Sequence, residues 1–332
     1  MSSIAVSVII PVYNAEKYFE RCVCSLFEQT LDNMEYVFVN DCSPDNSLEI
    51  LYQLMEQYPH RVPQVKIINH ETNQGEANSR NTGLMHVTGK YVGWVDNDDW
   101  VDKEMFAALY QQAEVSNSDI VWCDLYVCHN EPKGLVLNRQ LHDEDNIALV
   151  RGILYGRLHG FVWNSIAKRQ LYIDYSIFFT PDVNLMEDKF VSIQLRFYAQ
   201  KCTYLPCAYY YHNKMNEKSI TMSPDNFTKN AKNGLKTMRS IFSFLETNDK
   251  GIDFSQDFVH AKLVFKDYYL HSFTSEGFMI WQMVYPEANK FFLKCPDVPL
   301  KNKMIAWLIV HDWWWWLTIC IKLRKMIKRF YK

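Results

Sequence analysis

Val6 to Val12 is an unbroken apolar run, the pattern of a strand covered on both faces of a parallel sheet. From about Glu16 to Gln29 the period changes: Phe19, Val23 and Phe27 fall at i, i+4 and i+8, with Tyr18, Cys22 and Leu26 beside them, which predicts a helix. Tyr36 to Asn40 predicts a second strand. Ser43-Pro44 is expected to open the next helix as N-cap and first helical residue, with Leu48, Leu51 and Met55 as its core stripe. A third strand over Val65 to Ile68, a helix over Glu76 to Val87 with Gly89 as its C-cap, and strands over Tyr91 to Val95 and Ile120 to Cys123 complete the series. Such alternation predicts an α/β fold, a doubly wound and mostly parallel sheet flanked by helices with right-handed crossovers. Beyond Tyr126 the alternation fades. A loop-rich stretch leads through Leu149-Val150 and Phe161-Val162-Trp163-Asn164 to a strand-like Cys207 to Tyr211 and a polar run, Asn213 to Asp225. After Asn226 the pattern is helical, so the expected divisions are 1–125, 126–224 and a helical carboxyl-terminal extension, 225–332.

That extension ends unlike the rest. Met304 to Cys320 contains Trp307 and Trp313-Trp314-Trp315-Trp316, but His311-Asp312 makes it too polar for a membrane span. At 100° per residue, Ile319, Cys320, Leu323, Met326, Ile327, Phe330 and Tyr331 share one arc, and Lys322, Arg324, Lys325, Lys328, Arg329 and Lys332 the other. A basic amphipathic helix beside a tryptophan cluster suits an anionic membrane surface. The alternative is packing against the rest of the chain or a second subunit, as in a homo-oligomer.

Composition narrows the classes. With 332 residues, 48% hydrophobic, there is material for one or two cores. A net charge of −3 argues against a nucleic-acid binder. Nine cysteines without CxxC spacing, behind an amino terminus lacking a basic n-region, are expected as reduced thiols in a cytoplasmic protein.

The chemistry gathers at Asp96-Asn97-Asp98-Asp99, where the fourth strand ends. Acids at a strand's carboxyl end lie in the crevice where open α/β sheets bind ligands, and hard oxygens suit Mg²⁺ or Mn²⁺ against a diphosphate. Read alone, the cluster fits an acid-rich turn better than a metal site. No GxGxxG follows the first strand and no GxxxxGK[ST] occurs, so bound phosphates need another counter-charge, and a metal on Asp98 is the candidate.

Four segments, Val6 to Asn14, Val39 to Asp45, Asn73 to Gly83 and the strand ending in Asp96-Asn97-Asp98-Asp99, together resemble family 2 glycosyltransferases, over roughly residues 5 to 220. The resemblance implies the GT-A fold and inverting transfer from a nucleotide-diphosphate sugar, with 1–125 as the nucleotide-sugar half and 126–224 as the acceptor half. It places Asp41 at the uracil N–H, Asp96 at the ribose and Asp98 on the metal, with Pro11 and Asn97 on the nucleotide-sugar side; Asp99 caps the following turn or supports the metal ligands. Tyr13 can present a ring to the base, and Arg80 its planar fork to base or phosphate. The bland alternatives are that Asp41 only begins its turn and that Arg80 is a solvated helix residue.

In Leu185-Met186-Glu187-Asp188-Lys189-Phe190 the family pattern makes Asp188 the general base and Glu187 a neighbour touching acceptor or sugar; alone, the pair reads as a helix N-terminal charge pair. Trp163 floors the sugar or acceptor pocket or is a core residue. Tyr209-Tyr210-Tyr211-His212 with Ser219-Ile220-Thr221 resembles a mobile loop that commonly carries Arg after the tyrosines. Here His212, Lys214 and Lys218 stand instead, to close over the diphosphate, to bring His212 to the metal, or to remain solvated.

The implied activity is a Mn²⁺- or Mg²⁺-dependent hexosyl- or N-acetylhexosaminyl-transferase. It would use a UDP-sugar and a glycan or lipid-linked oligosaccharide acceptor, in surface-polysaccharide synthesis on the cytoplasmic face of the membrane. The alternative is a non-catalytic nucleotide- and membrane-binding scaffold of the same fold. A sugar nucleotidyltransferase would need a Gly-rich basic loop where this chain has Val12-Tyr13-Asn14-Ala15.

Overall fold

A computed structural model describes residues 4–129, 135–138, 145–181, 183, 186–215, 227–248, 250–271, 273–319 and 321–322. The chain divides into two compact units, Met1–Val150 with Leu158–Ser223, and Arg151–Arg157 with Pro224–Lys332. The first alternates β1 (Val6–Val12), α1 (Glu16–Phe27), β2 (Met34–Asn40), α2 (Ser47–Gln57), β3 (Val65–Asn69), α3 (Glu76–His86) and β4 (Tyr91–Trp94). It continues with β5 (Trp100–Val101), α4 (Met105–Ser116), β6 (Ile120–Cys128), β7 (Leu135–Asn138), α5 (Asn146–Leu154, whose residues from Arg151 on are counted with the second unit), β8 (Ser165–Lys168), α6 (Arg169–Asp174), α7 (Glu187–Tyr198) and β9 (Cys202–Asn213).

All nine described strands join one sheet, in the order β3-β2-β1-β4-β8-β6-β9-β5 with β7 beside β6. The quartet β3-β2-β1-β4 is parallel. Every residue of β1 and β2 is buried, as the unbroken apolar run predicts for strands covered on both faces. The α1 stripe, Phe19, Cys22, Val23, Leu26 and Phe27, packs inward.

Four expectations need correction. The Ser43-Pro44 step does not open α2, which starts at Ser47. Asp45 intervenes: its carboxylate accepts from the hydroxyls of Ser43 (2.5 Å) and Ser47 (2.6 Å) and from the Glu16 N–H (2.8 Å), holding a turn that also caps α1. The buried face of α2 is accordingly Ser47, Leu51 and Leu54, with Leu48 and Met55 only half-buried. Gly89 is not a C-cap. It lies against β1, where a Cβ would come within 2.7 Å of the Ser7 backbone nitrogen, and α3 ends in extended Val87. The predicted fifth strand, β6, does not extend the parallel series, because β8 slots between β4 and β6, antiparallel to both.

At the amino ends of β1 and β2 a polar network is buried. Glu35 accepts from Ser7 Oγ (2.5 Å), Thr88 N (2.8 Å) and Thr88 Oγ1 (3.0 Å), pairs with Lys66 Nζ (2.5 Å), and Ser7 Oγ accepts from Gly89 N (2.8 Å). Burial alone would raise the Glu35 carboxyl; its hydrogen bonds to Lys66, Ser7 and Thr88 outweigh that and hold it below the ordinary glutamate value.

The second unit is the helical region expected after 225: α8 (Phe227–Thr247), α9 (Ser255–His271), α10 (Ser275–Met283), α11 (Asn289–Phe292) and α12 (Leu300–Val310). Thr274 caps α10, its hydroxyl accepting from Gly277 N. At the other end of α10, fully buried Lys266 donates to the carbonyls of Trp281 (2.6 Å) and Val284, satisfying acceptors the helix leaves over. No helix among the described residues is long and apolar enough to cross a membrane. The basic arc from Leu323 to Lys332 lies outside the described residues, as does Cys320.

Candidate active site

A cleft of about 1010 Å³ opens at the carboxyl ends of β1, β2 and β4 and collects Pro11, Tyr13, Asp41, Arg80, Asp96, Asn97, Asp98, Trp163, Glu187, Asp188 and His212. The volume suits a nucleotide-sized ligand. These eleven candidate side chains therefore border one space, together with Lys214; Asp99 and Tyr209 to Tyr211 do not line it, and Leu185, Lys218 and Ser219-Ile220-Thr221 lie outside the described residues.

Just after β2, Asp41 is buried. Oδ1 accepts from Gln74 N and Oδ2 from Gly75 N, each at 2.8 Å, and His70 Nδ1 lies 2.8 Å from Oδ1. The turn after β2 is held instead by Asn40, whose Oδ1 accepts from Ser43 N, so Asp41 does more than begin its turn. A carboxylate has about four acceptor positions. Three are taken, which leaves one on Oδ2. Gly75, at φ 87°, occupies a conformation that suits glycine and brings these amides to Asp41. Tyr13 is half-exposed on the wall, and Asn97 Nδ2 donates to the Pro11 carbonyl (2.9 Å), tying two candidate residues to each other.

Arg80 is not a solvated helix residue: it is 3% exposed. Its fork meets carboxylates, Nη1 to Glu187 (2.9 Å) and Nη2 to Asp96 (2.8 Å) and Glu76 (2.6 Å). Burial would lower the guanidinium; the charges of Glu76, Asp96 and Glu187 more than reverse that. One cation thus serves an acid surplus. Burial, opposed by Arg80, pushes Asp188 up to about 6. Burial likewise raises Glu187, with Arg80 opposing and Asp188 reinforcing the shift. Both acids stand in the first turn of α7, where N–H groups favour charge, and Asp188 Oδ1 accepts from Lys189 N at 2.7 Å. Met186, with φ 62°, turns the chain into that helix.

Asp99 departs from the expected cap of its own turn. It is 1% exposed, and its carboxylate reaches β9, accepting from the Tyr210 hydroxyl (2.7 Å) and Asn213 N (2.7 Å), with His212 Nδ1 at 3.2 Å. The carboxylate–imidazole contact orients His212 and leaves Nε2 as the nitrogen for a metal. Trp163 is buried and borders the cleft. Its ring stacks on Phe161 (4.3 Å), Tyr210 (4.2 Å) and His212 (5.2 Å).

The donor set fits a hard cation only in part. Among the described residues no three His, Cys, Asp or Glu ligand atoms of the cleft lie within 4.8 Å of one another. Asp98 and His212 would supply two protein ligands and a bound diphosphate and water the others, the usual arrangement for Mg²⁺ or Mn²⁺ with a phosphate substrate. Sequence reasoning missed Glu76, His70 and Phe161 as site members. Glu76 stands four residues before Arg80, a helical ion-pair spacing that could have flagged it; nothing local marks the other two.

Comparison with known proteins agrees. The model of glycosyl transferase family 2 matches residues 7–176. The uncharacterized glycosyltransferase EpsJ of Bacillus subtilis (strain 168) is 33% identical over 224 residues, 66% of this chain and 63% of EpsJ, so the chain spans less than two thirds of that relative. The structure of S. aureus TarS 1–349 in complex with UDP-GlcNAc superposes with a TM-score of 0.65 at 22% identity, over 92% of this chain and 87% of the other. The mannosyltransferase PcManGT of Pyrobaculum calidifontis, in complex with GDP-Man and Mn²⁺, gives 0.54 at 17%, over 98% and 87%. These likenesses show the GT-A fold, and with half of its length matched by the family model, the chain belongs to glycosyl transferase family 2.

Proposed function

We propose that the chain is an inverting hexosyl- or N-acetylhexosaminyl-transferase that takes its sugar from a UDP-sugar and passes it to a hydroxyl of a glycan or lipid-linked oligosaccharide. The observation that carries this reading is Asp188, a carboxylate raised towards neutrality, bordering the same cleft as Asp41, Asp96 and Asp98. The remaining acceptor position of Asp41 receives the imide N–H of the base, the Tyr13 ring covers it, and Asp96 takes the ribose. A divalent cation held by Asp98 and His212 would offset charge on the departing diphosphate. Asp188 accepts the proton of the acceptor hydroxyl as its oxygen bonds to the anomeric carbon and the bond to the diphosphate oxygen breaks on the opposite face. Arg80 fixes Glu187 beside that base, and the Trp163 stack shields one side from water.

The UDP preference draws on the TarS complex and the metal on the PcManGT complex, applied here to a more distant chain. For a membrane-borne acceptor on the cytoplasmic face, support comes from Trp307, Trp313, Trp315 and Trp316, exposed near the start of the basic tail. The test is nucleotide release from UDP-, GDP- and dTDP-sugars with Mn²⁺, Mg²⁺ or EDTA, on wild type and Asp98→Asn. Release from a UDP-sugar that EDTA and the substitution both abolish is expected. Calorimetric donor binding without release, with acceptor present, would favour the scaffold; absence of both across the panel would overturn the nucleotide-sugar reading itself.

A further inference from the structure

A different set of ligating side chains converges in the helical unit. His260 on α9, with Cys295 and Asp297 between α11 and α12, bring an imidazole nitrogen, a sulfur and a carboxylate oxygen within 4.8 Å of one another. His260 Nε2 lies 2.7 Å from Asp297 Oδ2 and 3.8 Å from Cys295 Sγ. A nucleophilic triad needs the two ring nitrogens of histidine to face different partners. Here one nitrogen faces both. Three unlike donors pointing at one spot is instead the geometry of ligands around an ion.

Distances favour a small tetrahedral ion. With Zn–N about 2.0 Å, Zn–S about 2.3 Å and tetrahedral angles, N···S should be roughly 3.6 Å and N···O roughly 3.3 Å. The first is nearly met already. The second requires the His260–Asp297 contact to open by roughly 0.6 Å, a side-chain adjustment. Outer contacts are also in place. Arg157 grips the Asp297 carboxylate through Nε (3.1 Å) and Nη2 (2.9 Å), and the Tyr155 ring packs on His260 at 4.0 Å. Cys295 itself is buried.

We propose that His260, Cys295 and Asp297 bind one Zn²⁺ ion, with water in the fourth position, joining α9 to the turn before α12. Sulfur and imidazole favour Zn²⁺ over Mg²⁺ or Mn²⁺, so this ion differs in kind from one held by Asp98. The thiol gives its proton to solvent as the metal binds. The site shares no residue with the cleft, and its test needs no donor sugar.

The full-length chain, reduced and stripped with a chelator, is titrated with Co²⁺ and then Zn²⁺. Expected are a sulfur-to-cobalt charge-transfer band, displacement by one equivalent of Zn²⁺, and a melting temperature raised by zinc. Cys295→Ser, nearly isosteric, should lose the band and weaken zinc by about 100-fold or more with circular dichroism unchanged; His260→Gln should weaken zinc similarly. Asp98→Asn should keep the zinc. The proposal is overturned if wild type binds no zinc at micromolar concentration. It is equally overturned if Cys295→Ser keeps band and affinity, or if Asp98→Asn loses the ion.

Discussion

The same sheet buries acids at both of its ends, and the two burials have opposite characters. At the amino ends of β1 and β2, Glu35 is met by Ser7, by Thr88 twice and by Lys66, and its carboxyl is held down. At the carboxyl ends, Glu76, Asp96, Glu187 and Asp188 share the charge of Arg80, and Glu187 and Asp188 are pushed up. All five are carboxylic acids, with Glu35 and Glu187 buried and Glu76, Asp96 and Asp188 half-buried. The ratio of donors to carboxylates differs. Where donors are sufficient the acid is structural; where they are short it keeps basicity and can take a proton near neutral pH.

The largest effect that would break this contrast is on catalysis. Asp188→Asn should lower kcat by about 10²- to 10⁴-fold, measured as nucleotide release with acceptor present, while the melting temperature holds or rises above pH 7. Retained activity would remove Asp188 as the base. Arg80→Met comes next: stranding Glu76, Asp96 and Glu187 should destabilise by about 3 kcal/mol or more in urea unfolding. The same change should move the acid limb of the pH–rate profile upward, because the cation that lowers Asp188 is gone.

In the wild type that limb should fall near pH 6, since the base must be ionised and its pKa is raised to about 6. An ordinary aspartate would sustain rate to about pH 4. Stability runs the other way at the two ends. Asp188, raised on folding, binds more protons folded than unfolded, so its destabilising effect grows as pH rises from about 4 to 6. Glu35, lowered on folding, supports the fold fully above the unfolded glutamate value, and that support fades as pH falls through its depressed value. Glu35→Gln should cost about 1–3 kcal/mol without altering kcat. Smallest is Lys66→Met, which removes a half-exposed partner and should cost about 1 kcal/mol or less.

The satisfied end was invisible in the sequence, and the strained end was not. Asp96 to Asp99 stand in a contiguous run after a strand whose period is legible, and Glu187-Asp188 was marked by the family resemblance. Ser7, Glu35 and Thr88 are scattered, and meet only because β1 and β2 align Ser7 with Glu35. The first four strands could be read because each is a local apolar run. The place of β8 between β4 and β6 could not, because pairing partners leave no local period. The start of α2 was misread because Ser43-Pro44 is a good opening signal in isolation, and the competing Asp45 carboxylate becomes decisive only once Glu16 N lies beside it. The role of Asp99 depended likewise on β9 arriving next to β5.

That arrival has a consequence for recombination. Strand β9 runs beside β6 through a register shift at Cys123 to Leu125 and delivers Tyr210, His212 and Asn213 to Asp99. One residue added or removed in β9 ahead of Tyr210 would turn the Tyr210 and His212 side chains to the opposite face. Chimaeras with related chains should therefore tolerate crossovers downstream of Met215 and fail at crossovers that change the length of β9. A scan of single-residue insertions would read out the boundary between the two behaviours.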